Sequence, residues 1–252
     1  MPIPKILHLI WFGKMSQKIY NTIHTISESN KDISIFIWVY DTEYVKKYTF
    51  YKSNIYIKCV ICEKTYMQDR VLFWLKQKKW KKLRYAAASD CWRFYVLMKY
   101  GGIYSDINNN IGSIPKNFFK NDIWLLHNKK SKDVFPSLMG AKKNHILYKK
   151  AVSLFIRLHF TNSHIKKIRG DKNKWKFICQ TVNFILYTIF IKDNQYIGNI
   201  HITDAYKIYH KNKCTKCNIG SGLSSKIGSI ENIKKDYIDL IHELSTKPLQ
   251  TH

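Results

Sequence analysis

Asp106 and Asn108 are two oxygen-bearing side chains separated by Ile107, and they follow a segment that carries Asp90 and Arg93 three residues apart. Read as a short strand, the stretch from Tyr104 to Asn108 turns Asp106 and Asn108 to one face and Ile107 to the core. Two oxygen donors at that spacing can grip a hard divalent cation and, through it, a diphosphate. That is the chemistry by which a nucleotide-activated sugar is held. Asp90 and Arg93 share a helical face; alone they would form an ion pair worth about 0.3 kcal/mol.

The elements that must position these groups are readable. Leu83–Lys99 places Ala87, Cys91, Phe94, Leu97 and Met98 on one helical face. Gly101 is suited to a left-handed helix cap, and Gly102 leads into the strand. Lys5–Trp11 reads as a central parallel strand, Ile33–Tyr40 as a second strand and Asn54–Ile61 as a third short one, with a helix at Ser16–Ser29 between the first two. Asp122–His127 and Ser137–Ala141 are expected strands and His145–Leu158 an amphipathic helix. Tyr66–Trp80 reads as helical and Glu43–Tyr48 as a short helix. Further on, Lys172–Ile191 suggests one or two helices, Tyr196–Ile202 a strand, the stretch around Gly220-Ser221-Gly222 a loop over the site, and Ile233–Leu244 a last helix. Trp11 ends the first strand, where open α/β sheets bind ligands, and an indole there suits a nucleobase. His8 fits a core position better than a catalytic one.

Two stretches carry a resemblance. Ala86-Ala87-Ala88-Ser89-Asp90, Arg93, Gly101-Gly102, Tyr104 and Asp106 match in order and distance, as does Ile3-Pro4-Lys5-Ile6-Leu7-His8-Leu9-Ile10-Trp11-Phe12-Gly13. They resemble the DXD-containing GT-A type sugar transferases. That family includes bacterial capsule and lipopolysaccharide glycosyltransferases, initiating mannosyltransferases and the catalytic domains of large clostridial glucosylating toxins. The resemblance covers roughly the first 115 residues. It implies an α/β, Rossmann-like GT-A fold with a mixed, mainly parallel sheet flanked by helices. We expect one domain over 1–252, with a nucleotide-sugar half at 1–115 and an acceptor-side half at 116–252.

The resemblance also implies roles. Asp90, Arg93 and Asp106 would be catalytic, and Trp11 and Tyr104 would join them in holding the donor. Asp90 would accept from sugar hydroxyls, Arg93 would add charge near sugar and phosphate, and Asp106 would contact ribose and a metal-bound water. Asp106 and Asn108 would form the metal position, for Mn²⁺ by expectation. Here the sequence departs from the family, because Asn108 replaces a second acid and brings no charge. The further ligand that relatives take from a C-terminal His or Glu has no clean match, His210 and Ser221 being the nearest candidates. The implied activity is transfer from a UDP-sugar to a glycan acceptor with retention, in surface polysaccharide or lipopolysaccharide synthesis. The alternatives are a catalytically degenerate GT-A scaffold or binding protein, and a toxin-like transferase that modifies a protein.

Bulk properties narrow the partners. The chain of 252 residues has 43 basic and 17 acidic residues, a net charge of +26, and only five of its basic residues are Arg. Such a field attracts polyanions and anionic lipid headgroups, so an anionic membrane surface or an anionic glycan is an expected partner, beside the nucleotide-sugar donor and the glycan or lipid-linked glycan acceptor that the resemblance implies. Dispersed lysines without a nucleic-acid module argue against nucleic acid. The Lys76–Lys82 run lies beside Trp74 and Trp80, which would suit a bilayer interface. No run of 18 apolar residues is present and Met1–Lys5 lacks a signal-peptide layout, so the expectation is cytoplasmic, at the inner face of the membrane. Cys59/Cys62 and Cys214/Cys217 are two Cys-X-X-Cys pairs, read as reduced thiols rather than a zinc site because the first lies in a strand-like run.

Overall fold

A computed structural model describes residues 2–46, 50–78, 83–109, 111–128, 133–160 and 200–204. Seven strands form one sheet: β1 (Ile6–Ile10), β2 (Ser34–Val39), β3 (Ile55–Cys59), β4 (Gly102–Ser105), β5 (Ile123–Asn128), β6 (Asp133–Ala141) and β7 (Ile200–Asp204). Their order is β3-β2-β1-β4-β6-β5-β7. β1, β2, β3 and β4 run parallel, β6 is antiparallel to both its neighbours, and β5 pairs β7 in parallel. The helices are α1 (Gln17–Ser29), α2 (Tyr66–Lys76), α3 (Leu83–Tyr100) and α4 (Ile146–Phe160).

Period-two alternation divides the strand side chains between two cores. Leu7 and Leu9 pack with Ile35 and Ile37 against Ile19, Ile23 and Ile26 of α1. Ile10 and Trp38 face the other way, against Met67 and Val71 of α2, Cys91, Trp92 and Phe94 of α3, and Leu147 of α4. The central sheet is therefore buried on both faces, as a mainly parallel sheet requires. Ser16 caps α1, its hydroxyl accepting from Ile19 N at 3.4 Å.

The turn from α3 into β4 admits only glycine at two consecutive positions. Gly101 has φ +67°, and a Cβ there would stand 2.6 Å from Lys143 N; Gly102 has φ +99°, and its Cβ would stand 2.6 Å from Ile6 O. His8 seals this turn from β1. It is fully buried, its Nε2 donates to Gly101 O at 2.7 Å and its Nδ1 accepts from Trp38 Nε1 at 3.0 Å. Both partners fix the neutral Nε2–H tautomer, and burial lowers its pKa to about 4. The core role expected for His8 is what the structure gives.

Three expectations need correction. The motif strand does not run to Asn108: it ends at Ser105, and Ile107–Asn109 is a 3-10 turn. Asn109 causes this by turning its amide inward to Ser137 O at 2.7 Å while its backbone N–H closes on Asp106 O at 3.0 Å. Ile107 is buried as expected and Asn108 is exposed, but the two donors do not share a strand face. Secondly, Trp74 is 5% exposed within the α2–α3 core, so it cannot anchor at a bilayer. Thirdly, only Cys59 lies in the strand; Val60–Glu63 is a 3-10 turn that carries Cys62. Among the described residues no group of three or more His, Cys, Asp or Glu could hold a metal. The expected helices at 172–191 and 233–244, the loop around Gly220, and His210, Ser221, Trp80, Cys214 and Cys217 lie outside the described residues.

Candidate functional site

Asp106 follows the last residue of β4, at the centre of the sheet and at the carboxyl ends of β1 and β4, where parallel strands leave a crevice. Its backbone N–H donates to Ser137 O at 2.8 Å, which ties the residue to β6. α3 brings Ser89, Asp90 and Arg93 to the same place.

The contacts form one network. Arg93 is buried and its Nη2 pairs with Asp90 Oδ1. Its Nη1 donates to Pro136 O at 2.6 Å and stands 3.7 Å from Asp106 Oδ1. The guanidinium also lies over the Tyr104 ring, 4.7 Å from its centroid. Tyr104 donates its hydroxyl to Asp106 Oδ1. With that proton committed, Ser89 Oγ is the donor in its 3.3 Å bond to the Tyr104 oxygen. Desolvation raises the Asp90 carboxyl to about 6 against the opposing pull of Arg93, and burial holds the Tyr104 phenol well above its usual value. Asp90 is thus mostly ionised at neutral pH and held by one cation. Asp90, Arg93, Tyr104 and Asp106, four of the residues singled out in the sequence, are linked through Arg93 into one network.

Asp106 keeps an outward aspect, its side chain 39% exposed, and its Oδ2 has no hydrogen bond among the described residues. Asn108 is exposed in the turn that follows. One carboxylate oxygen and one amide oxygen fit a hard cation that keeps several waters and takes its other ligands from a diphosphate. They do not make a closed protein cage.

Trp11 is half-buried at the end of β1, and its indole Nε1 is shielded from solvent with no acceptor among the described residues. A Cβ on Gly13 would lie 4.0 Å from that nitrogen and 3.9 Å from the Tyr85 ring. Gly13 therefore leaves room between two aromatic side chains. Tyr85 is held in place by Arg84, whose Nη2 donates to the Tyr85 hydroxyl at 2.8 Å. Sequence reasoning missed Tyr85, which reads there as one more residue of a helix.

It also missed Ser137. The β4–β6 register pairs Tyr104 with Met139 and Ser105 with Leu138, so Ser137 stands opposite Asp106 and turns its side chain to the same face. Its carbonyl accepts from Asp106 N and Asn109 Nδ2. Its hydroxyl is shielded and has no partner among the described residues; a group left unsatisfied in this way costs about 1–3 kcal/mol. No sequence signal marks it, because the pairing partner of Asp106 depends on an antiparallel register.

Comparison with known proteins agrees with this geometry. Residues 16–111 match the family model described as glycosyltransferase sugar-binding region containing DXD motif. No curated protein sequence matches the chain. Among solved structures, the PaToxG glycosyltransferase is similar with a TM-score of 0.52 and 20% identity, over 75% of this chain and 70% of that one. The UDP-bound glycosyltransferase domain of the YGT toxin gives a TM-score of 0.51 at 9% identity, over 80% of each chain. Those likenesses establish the fold, and the matched segment contains Asp90, Arg93, Tyr104 and Asp106. Residues 16–111 are thus similar to the DXD-containing glycosyltransferase region, and the sheet is that of the GT-A fold.

Proposed function

We propose that the protein transfers a sugar from a UDP-sugar to a hydroxyl of a glycan or lipid-linked glycan acceptor, with retention of configuration, in the synthesis of surface polysaccharide or lipopolysaccharide at an anionic membrane surface. The observation that carries this reading is the contact network of Asp90, Arg93, Tyr104 and Asp106 at the end of β4, inside the matched glycosyltransferase segment.

In this reading the base lies against Trp11, with Tyr85 as the facing wall. Asp90 accepts from sugar hydroxyls, and Ser137 donates to a sugar oxygen from across the β4–β6 pair. Arg93 places its charge beside the departing phosphate, and Tyr104 keeps the Asp106 carboxylate oriented. A divalent cation held by Asp106 and Asn108 would offset diphosphate charge. The acceptor hydroxyl attacks the anomeric carbon on the face from which the diphosphate leaves. The bond from that carbon to the phosphate oxygen breaks, its electron pair stays with the diphosphate, and the leaving oxygen takes the acceptor proton. Attack and departure on one face give retention, and no protein nucleophile is required. The cluster contributes position and charge at the reacting centre, which is where most of a transferase's rate enhancement arises.

A second reading, transfer to a protein hydroxyl, is favoured by one observation: the similar folds are toxin glycosyltransferase domains. Donor hydrolysis by the purified protein, lost in Asp106→Ala, tests the enzyme reading against a degenerate scaffold. Incubation with labelled donor and either a lipid-linked glycan or a cell lysate then separates the two acceptors.

A further inference from the structure

We propose that the edge of the sheet at β3 is a docking face for an anionic lipid bilayer. This rests on the preceding reading only in assigning the acceptor to the membrane.

Among the described residues β3 is the outermost strand, paired on one side with β2. Of the large hydrophobic side chains exposed among the described residues, Tyr51, Tyr56, Ile61 and Tyr66 lie on or beside it, and Ile146 is the one elsewhere. These side chains are continuous with the interior. Tyr56 packs edge-on to Phe36 at 5.7 Å, Phe36 meets Tyr100 at 6.3 Å, and Tyr100 donates to Glu63 at 2.6 Å, next to Ile61 and Lys64. A rigid base thus supports the exposed rings.

The free charge at this edge is positive. Lys52, Lys58 and Lys64 lie among the tyrosines, and Glu63 is the sole acid between residues 50 and 66; Lys52 is paired with Glu28, which leaves Lys58 and Lys64 to face outward charge. Glu63 is consumed internally, accepting from Lys99 at 2.5 Å as well as from Tyr100. Aromatic rings with polar tips, an isoleucine and two lysines with no acidic partner among the described residues match the headgroup layer of an anionic bilayer. Tyrosine hydroxyls stay at headgroup level while the rings enter the boundary, and each nearby lysine adds electrostatic attraction. Ile61, Lys64 and Tyr66 follow the carboxyl end of β3, the end of the sheet at which Trp11 and Asp106 stand. A bilayer along this edge would bring the site to membrane level, within reach of an acceptor anchored there.

The test uses the full chain and co-sedimentation with vesicles of about 30% phosphatidylserine in phosphatidylcholine, at about 0.1 M salt. The variant Tyr56→Ser/Ile61→Ser/Tyr66→Ser keeps every charge. General attraction by the net charge of +26 is therefore unchanged, and only the face is lost. The wild type should bind these vesicles and not pure phosphatidylcholine, and the variant should partition at least about tenfold more weakly. UDP titration of both proteins checks the donor site separately, and equal values locate the loss at the face. Undiminished binding by the variant, equal binding to neutral vesicles, no binding by the wild type, or a wild-type dimer that the variant abolishes would each overturn the proposal.

Discussion

Arg93 Nη1 stands 3.7 Å from Asp106 Oδ1 while the other terminal nitrogen of the same guanidinium pairs with Asp90. One cation thereby couples a carboxylate on α3 to the carboxylate at the end of the central strand. Both acids are held in register before any donor arrives, and the guanidinium stacks on the tyrosine that orients the second of them.

Arg93→Lys should therefore be far from conservative. An ammonium cannot pair with Asp90, donate to Pro136 O and stack on Tyr104 together. Asp90, buried behind it, loses part of its partner. We expect kcat/KM for donor hydrolysis to fall about 100-fold and urea-induced unfolding to show a loss of about 1–3 kcal/mol. A lysine variant with wild-type kinetics would remove Arg93 from the site.

Ser137→Ala separates sugar from nucleotide. The main-chain carbonyl that holds Asp106 and Asn109 is retained, and a hydroxyl without a partner among the described residues is removed. UDP should bind as before, the KM for the UDP-sugar should rise about tenfold, and the melting temperature should not fall. Equal donor KM in the two proteins would show that the hydroxyl does not meet the sugar.

Much of the fold was legible because it follows local rules. Leu7 and Leu9 alternate with His8, Ser16 begins α1, and Gly101 ends α3, each where the sequence pattern puts it. The helix–turn–strand unit brought Asp90, Arg93, Tyr104 and Asp106 into one network. What failed depended on partners distant in sequence. Asn109 curled the chain out of the strand because its amide found Ser137 O, 28 residues on. Trp74 was drawn into the core by α3 although its flanking lysines suggested a surface. Ser137 and Tyr85 gained their places from a strand register and from Gly13, neither of which periodicity reports.

Asn108→Asp should strengthen divalent-cation binding. The turn already presents Asn108 outward beside Asp106, and a second carboxylate adds charge to an oxygen site whose affinity follows ligand charge. Activity titrated with Mn²⁺ should reach half-maximum at a concentration about tenfold or more below that of the wild type. An unchanged midpoint would mean that position 108 does not face the cation.

His8 makes a pH prediction with a definite sign. Its folded pKa is lowered to about 4, so the unfolded chain alone takes up the proton as pH falls through the ordinary value near 6.5. Stability from His8 is full above that value and declines toward pH 4, by about 1.4 kcal/mol per pH unit. His145, also lowered to about 4 by burial, adds in the same direction. Asp90, raised to about 6 by burial, acts oppositely, because the folded state holds its proton longer. In His8→Gln the slope of unfolding free energy between about pH 5 and pH 6 should shift by nearly one proton's worth. Urea titrations at several pH values read this directly, and an unshifted slope would contradict the buried neutral imidazole.

The central claim, a UDP-sugar site built on Asp106 and its neighbours, is tested most directly by calorimetric titration of UDP, with GDP as control, in Mn²⁺ and again in EDTA. The account predicts that UDP binds in preference to GDP, that Mn²⁺ tightens the binding, and that Asp106→Ala loses the metal-dependent part. Failure of both nucleotides to bind under either condition would contradict it and leave the fold as a scaffold.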